Sequence, residues 1–174
     1  MVFLVFFGGY NKLVRMRQLT RNAWSDVDVY LKRRAELIPN LVASVKGYAE
    51  HEQTTLEQTV AARNQALGAT SVSGRSDAEA QVSTGLSRVL MVAENYPQLK
   101  ASENFLDLQR SLSETEKLIA SARQYYNACV RDYNTLIESF PSNIAAGTFG
   151  FRTADFFQLD SAGERDVPKI AGLP

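Results

Sequence analysis

The single histidine, His51, is the one side chain here that titrates near neutral pH without help, and it sits beside Glu52. A zinc-protease helix needs a second histidine four residues on to close the metal site, but position 55 is threonine. Ferritin-like di-iron sites need two Glu-x-x-His pairs, which one histidine cannot provide. A structural zinc site is excluded by the lone Cys129. No glycine-rich phosphate loop, Walker motif or kinase signature occurs, and no serine is spaced to pair with His51 as nucleophile and base. His51 therefore reads as a solvated residue of a glutamate-rich helix. No catalytic, metal or cofactor residue is assigned, and the expectation is a protein that is not an enzyme.

Polar residues that interrupt apolar rows remain. Arg34, Glu52, Arg63, Glu114/Glu116, Arg123 and Asn127 fall where helical spacing should face a core. A buried charge costs several kcal/mol unless it is paired. Two readings follow for Arg34, Glu52, Arg63, Glu116, Arg123 and Asn127. They form interhelical pairs that fix register, Arg34 with acids such as Glu116. Alternatively they line a polar groove that binds a ligand.

The elements that must position them are helices. Leu13, Met16, Thr20, Trp24, Val27, Leu31 and Ile38 recur at three- and four-residue steps close to a heptad, and Arg34 continues the Leu13–Thr20–Val27 row. Pro39 lacks a donor and disfavours helical geometry at Ile38, which predicts a break or kink with Pro39 opening a second helix that runs to about Leu67. Residues 68–76 are small, polar and without rhythm, and Ser76 with Glu79 fits a capping box for a third helix ending at Tyr96-Pro97. A fourth helix follows from Leu99 to Phe140, with an alternative start at Ser102 and a stop at Pro141. No strand alternation, repeat or linker is present. The reading is all-α: an antiparallel four-helix bundle of long, partly coiled-coil helices with an irregular aromatic C-terminal tail.

Zero net charge and a pI near 6.6 argue against nucleic-acid binding, which needs a basic surplus. The charge is uneven, however. Lys12, Arg15, Arg17 and Arg21 precede any acid, and before them stands Val2-Phe3-Leu4-Val5-Phe6-Phe7. Six helical residues cover about 9 Å, whereas a bilayer core needs roughly 20 residues. The run is thus too short to span and reads as the end of an anchor, as an interfacial segment or as a core-packed N-terminal turn; it lacks the layout of a signal peptide. Phe3, Phe6 and Phe7 are candidate membrane contacts. In the tail, Phe140, Phe149, Phe151, Phe156 and Phe157 either fold back on the bundle end or join them, so Phe149, Phe151, Phe156 and Phe157 are candidate membrane or partner contacts.

Several blocks together resemble the LemA family. They are Tyr10-Asn11-x-Leu13-Val14, Asn22-Ala23-Trp24-Ser25, Leu31-Lys32-Arg33-Arg34-x-x-Leu37-Ile38-Pro39-Asn40-Leu41-Val42, and Val45-Lys46-Gly47-Tyr48-Ala49-x-His51-Glu52. Further on come Ala93-Glu94-x-Tyr96-Pro97, Ala122-Arg123-Gln124-Tyr125-Tyr126-Asn127 and Phe140-Pro141-Ser142-Asn143. The resemblance implies a bacterial membrane-associated protein of undetermined biochemical role, with an N-terminal anchor before a four-helix domain. Some relatives carry a lipidated cysteine before Tyr-Asn; Gly9 stands there in this chain.

The expected division is 1–9 as the end of an anchor, 10–157 as the helical domain and 158–174 as a polar tail. The expected role is a membrane-associated interaction or scaffold protein, or else a ligand-binding bundle with a polar site between helices. Its expected place is the bacterial inner membrane with a single N-terminal anchor, the flanking cations favouring a cytoplasmic domain. Expected partners are the membrane, an unidentified protein and a second copy, since a long first helix outruns its neighbours; nucleic acid is not among them.

Overall fold

The computed structural model describes the backbone of residues 2–158 and the side chains of 8–49 and 51–158. Six helices run through these residues: α1 (Val2–Lys46), α2 (Gln53–Gly68), α3 (Val72–Glu94), α4 (Pro97–Lys100), α5 (Glu103–Glu138) and α6 (Ser142–Phe149), with a 3₁₀ turn at Glu50–Glu52 before α2. Among the described residues there is no strand.

The heptad rows set the main packing. Leu13, Thr20, Val27, Arg34 and Leu41 are all buried on α1, and on α5 so are Phe105, Leu112, Ile119, Tyr126 and Tyr133. Leu13 clusters with Tyr133, Val27 with Ile119 and Leu41 with Phe105. One row climbs while the other descends, so α1 and α5 lie antiparallel along a seam of coiled-coil type. Thr20 tolerates its apolar place because its hydroxyl donates to the Met16 carbonyl at 2.9 Å.

The α2–α3 hairpin packs on the later half of α1, where Ile38, Leu41 and Val45 join Leu56, Ala62, Val82, Leu86 and Val89 in one core. The two hairpin helices approach closely at Gly85. A Cβ there would stand 2.9 Å from Thr59 Oγ1 and 3.2 Å from Thr59 Cα, so only glycine fits without a shift.

Several expected boundaries move. Pro39 does not end the first helix; α1 runs through it to Lys46. The chain leaves α1 instead at Gly47-Tyr48-Ala49, where Tyr48 and Ala49 amides both turn back to the Val45 carbonyl. The third helix opens four residues before Ser76, capped by Ser71, whose hydroxyl accepts from the Gly74 amide at 3.1 Å. Ser76 and Glu79 are therefore buried in the body of α3 and form no capping box. The short α4 separates Tyr96 from α5, which starts after Ser102. The tail is not wholly irregular either: α6 occupies 142–149 and ends at Gly150, whose φ of 67° is left-handed, with the Phe151 amide returning to Ala146 at 3.0 Å.

Candidate functional site

Arg34 stands on the apolar row of α1 and is 1% exposed. Its Nη2 pairs with Glu79 Oε2 on α3 at 2.5 Å, and its Nη1 donates to Glu116 Oε1 on α5 at 2.8 Å and to Ser83 Oγ at 3.1 Å. Burial alone would lower the pKa of this guanidinium, but the carboxylates of Glu116 and Glu79 outweigh it and hold the pKa above its ordinary value. Glu79 also faces Arg75 Nε at 2.9 Å, and Arg75 reaches Asp28 of α1 at 3.6 Å while its Nη1 donates to the Ala66 carbonyl at 2.7 Å. Arg75 thus closes the last turn of α2. One network of two arginines and three carboxylates joins α1, α2, α3 and α5.

Of the six residues expected in a polar network, Arg34 and Glu116 come together as a pair. The others go elsewhere. Arg63 Nε donates at 2.9 Å to the carbonyl of Ala35, and Ala35 lies four residues before Pro39. That carbonyl would take the amide of residue 39 in an ordinary helix, and proline has none. Arg63 replaces the missing donor, which accounts both for an arginine on an apolar row and for a proline inside α1. Glu52 is half-buried in the turn before α2. Arg123 makes no ion pair or side-chain hydrogen bond among the described residues.

Asn127 holds the tail. Its Nδ2 donates to the Phe157 carbonyl at 3.0 Å, and its Oδ1 accepts from the Phe157 amide at 2.9 Å. Asn134 treats Ala154 in the same way, at 3.0 and 2.9 Å. Seven helical residues rise about 10.5 Å and three extended residues span about 10 Å, so the two asparagines match the tail's own spacing. Residues 151–158 therefore lie antiparallel along α5. The Ser76 hydroxyl donates to the Gln158 carbonyl.

Glu79, Arg75 and Asn134 were missed by sequence reasoning. A signal existed for the first two: stepping back from Ala93, Val89, Leu86 and Val82 at helical spacing lands on Glu79 and Arg75. Asn134 repeats Asn127 two turns on, but nothing in either helix names the tail as its partner.

The tail aromatics divide. Phe157 is fully buried between Trp24 and the α5 seam, at 5.5 Å between ring centroids, so it belongs to the core and is no surface contact. Phe151 lies 5.8 Å from Tyr10, with the Arg17 guanidinium 4.8 Å over its ring. Phe149 lies 4.7 Å from Tyr10 and is half exposed, as is Phe156. The side chains of Phe3, Phe6 and Phe7, and the polar tail from residue 159, lie outside the described residues.

Tyr126 donates its hydroxyl to the Asp155 carbonyl at 2.8 Å. Burial, aided by the Asp155 charge, pushes its pKa up to about 12. The folded state therefore keeps a proton that the unfolded chain releases near pH 10, and stability is expected to fall as pH rises from about 10 to 12. Denaturant melts across that window should show a shallower decline for Tyr126→Phe than for the parent chain. An identical decline would remove Tyr126 as its source.

Three concavities on the described surface are open grooves. One of about 730 Å³ lies between the end of α1 and α2 and places His51, Lys46 and Glu57 around Val42, Leu56 and Val60. None of the grooves described contains Arg34, Glu116 or Arg123. Among the described residues, no cluster of histidine, cysteine and carboxylate side chains is placed to hold a metal, and no helix is long and apolar enough to cross a membrane. The transmembrane anchor expected from the resemblance is thus not carried by any described helix.

Comparison with known proteins finds relatives along most of the sequence. Magnetosome protein MamQ 2 of Paramagnetospirillum magneticum is 27% identical over 184 residues, covering 91% of this chain and 68% of its own. Magnetosome protein MamQ of Magnetospirillum gryphiswaldense is 23% identical with the same coverage. Protein LemA of Metamycoplasma hominis is 27% identical over 167 residues, covering 95% of this chain and 76% of its own. The model of the LemA family matches residues 23–171, most of the sequence. The chain belongs to the LemA family.

Proposed function

We propose that the chain is a membrane-associated, non-catalytic scaffold whose long helices α1, α2, α3 and α5 act as one antiparallel bundle presenting surfaces to a protein partner. The observation that carries this reading is the start of α1. An apolar run, Val2–Phe7, continues without interruption into the helix that forms the bundle seam, and Lys12, Arg15, Arg17 and Arg21 follow it before any acid. An apolar end backed by cations suits an anionic lipid surface. Residues 1–9 would then be the membrane end, 10–157 the working domain and 158–174 a polar extension, with the cations favouring the cytoplasmic side of the inner membrane. The magnetosome named in two relatives supports an organelle or membrane setting by analogy.

The buried polar network supports rigidity over ligand binding, since both terminal nitrogens of Arg34 are held by the carboxylates of Glu79 and Glu116 and Arg34 opens into none of the described grooves. Fractionation of cells expressing the gene from its native start tests the proposal. The protein is expected in the membrane pellet and is expected to leave it with detergent. Full recovery in the supernatant would overturn it.

A further inference from the structure

The corner where α5 turns into α6 carries apolar side chains that the described fold leaves uncovered. Phe140 is 80% exposed and Ile144 is 54% exposed. Their position along the molecule is fixed by Gly9 of α1, where a Cβ would lie 3.7 Å from Ser142 Cα. The corner is therefore level with Gly8–Gly9. Because α1 continues as helix back to Val2, its apolar run projects past this corner by about 10 Å. In the other direction, exposed Lys12 and Arg15 lie one to two turns further into the bundle.

Apolar groups thus occupy the end of the molecule, and at the next level inward the cations Lys12, Arg15, Arg17 and Arg131 outnumber the acids Asp132 and Glu138. That layering matches the two levels of a bilayer surface, acyl chains below and phosphates above. A second copy of the chain fits less well, because a two-fold pairing would bring together two ends that each carry a net positive charge.

We infer that the α5–α6 corner, through Phe140 and Ile144, rests in the headgroup–acyl boundary of an anionic bilayer, with Lys12 and Arg15 facing lipid phosphates. This rests on the membrane reading above and adds which folded surface touches lipid. The corner would hold the bundle at a fixed tilt around the root of α1, which a helix end alone does not do.

The test uses the full chain in a Cys129→Ala background, with spin labels at Phe140→Cys, Ile144→Cys and, at the far end of the molecule, Tyr48→Cys, which is 45% exposed in the parent. Circular dichroism first establishes that each variant is helical. On vesicles of phosphatidylethanolamine and phosphatidylglycerol, the labels at 140 and 144 should be more accessible to oxygen than to a water-soluble nickel chelate. The label at 48 should show the reverse. Phe140→Ser should weaken vesicle binding about tenfold, the change expected when a side chain of that apolar area stays in water.

Vesicle binding with the chelate reaching 140 and 144 as freely as 48 would overturn this inference and leave the membrane reading standing. Shielding of 140 and 144 in solution without vesicles would overturn it in favour of self-association. No vesicle binding at all would overturn both.

Discussion

Glutamine in place of Glu79 is expected to lower the unfolding free energy by about 3–5 kcal/mol and the melting temperature by roughly 10 °C. Glu79 is 2% exposed and shares its two oxygens between Arg34 and Arg75, themselves 1% and 4% exposed. Removing its charge leaves two buried guanidinium groups with Glu116 and Asp28 as remaining partners, and both of those are partly solvated. The same change at Glu116 should cost about 1 kcal/mol or less. Its side chain is 41% exposed, so water takes up much of what the ion pair loses. The two bonds to Arg34 have similar lengths, and burial alone ranks them. Urea melts of Glu79→Gln and Glu116→Gln measured side by side decide the matter. Equal losses would mean that Arg34 is held by its packed stem and that the carboxylates serve register only.

This contrast shows what the sequence discloses and what it hides. The α1 seam was readable because its residues repeat every seven positions, and Arg34 was readable as its one charged member. Glu116 followed as an acid on the facing helix. Glu79 was hidden by a local ambiguity: Ser76-x-x-Glu79 satisfies the rule for a helix start as well as it satisfies the middle of a helix. The choice is made by tertiary packing, since starting α3 at Val72 allows Arg75 to reach the Ala66 carbonyl and close the hairpin. The tail was hidden for another reason. Its backbone is held by Asn127 and Asn134 across some 20 to 30 residues of sequence, and an asparagine on a helix surface does not announce a distant extended segment. Phe157 could be recognised as unusual, but only the clamp decides that it turns inward. For the candidate site, one pair of six residues was legible because it lies on a periodic row. Arg63 and Asn127 act instead on backbone groups, which residue types do not encode.

Arg63→Met is expected to destabilise the fold by about 1–2 kcal/mol, and Pro39→Ala is expected to abolish most of that cost. One carbonyl links the two residues. In α1 the Ala35 oxygen has no helical donor four residues on, because that position is Pro39, and the Arg63 Nε–H fills the place at 2.9 Å. Methionine keeps the apolar stem of Arg63 and removes the donor, so the carbonyl is left unsatisfied beside the core; Ala35 is 7% exposed. Pro39→Ala restores an amide at the right position, and alanine is also the better helix former, so this change alone should stabilise α1. In the alanine background the carbonyl no longer needs Arg63, and the methionine variant should lose little. A double-mutant cycle from urea melts would then give a coupling of about 1 kcal/mol or more. Hydrogen exchange at the backbone amide that Pro39→Ala introduces adds a direct check, since it should be protected whichever residue stands at 63. Costs that add within about 0.5 kcal/mol would mean that Arg63 stabilises α2 through Asn64, to which its Nη1 donates at 3.0 Å, and that α1 tolerates Pro39 by bending alone.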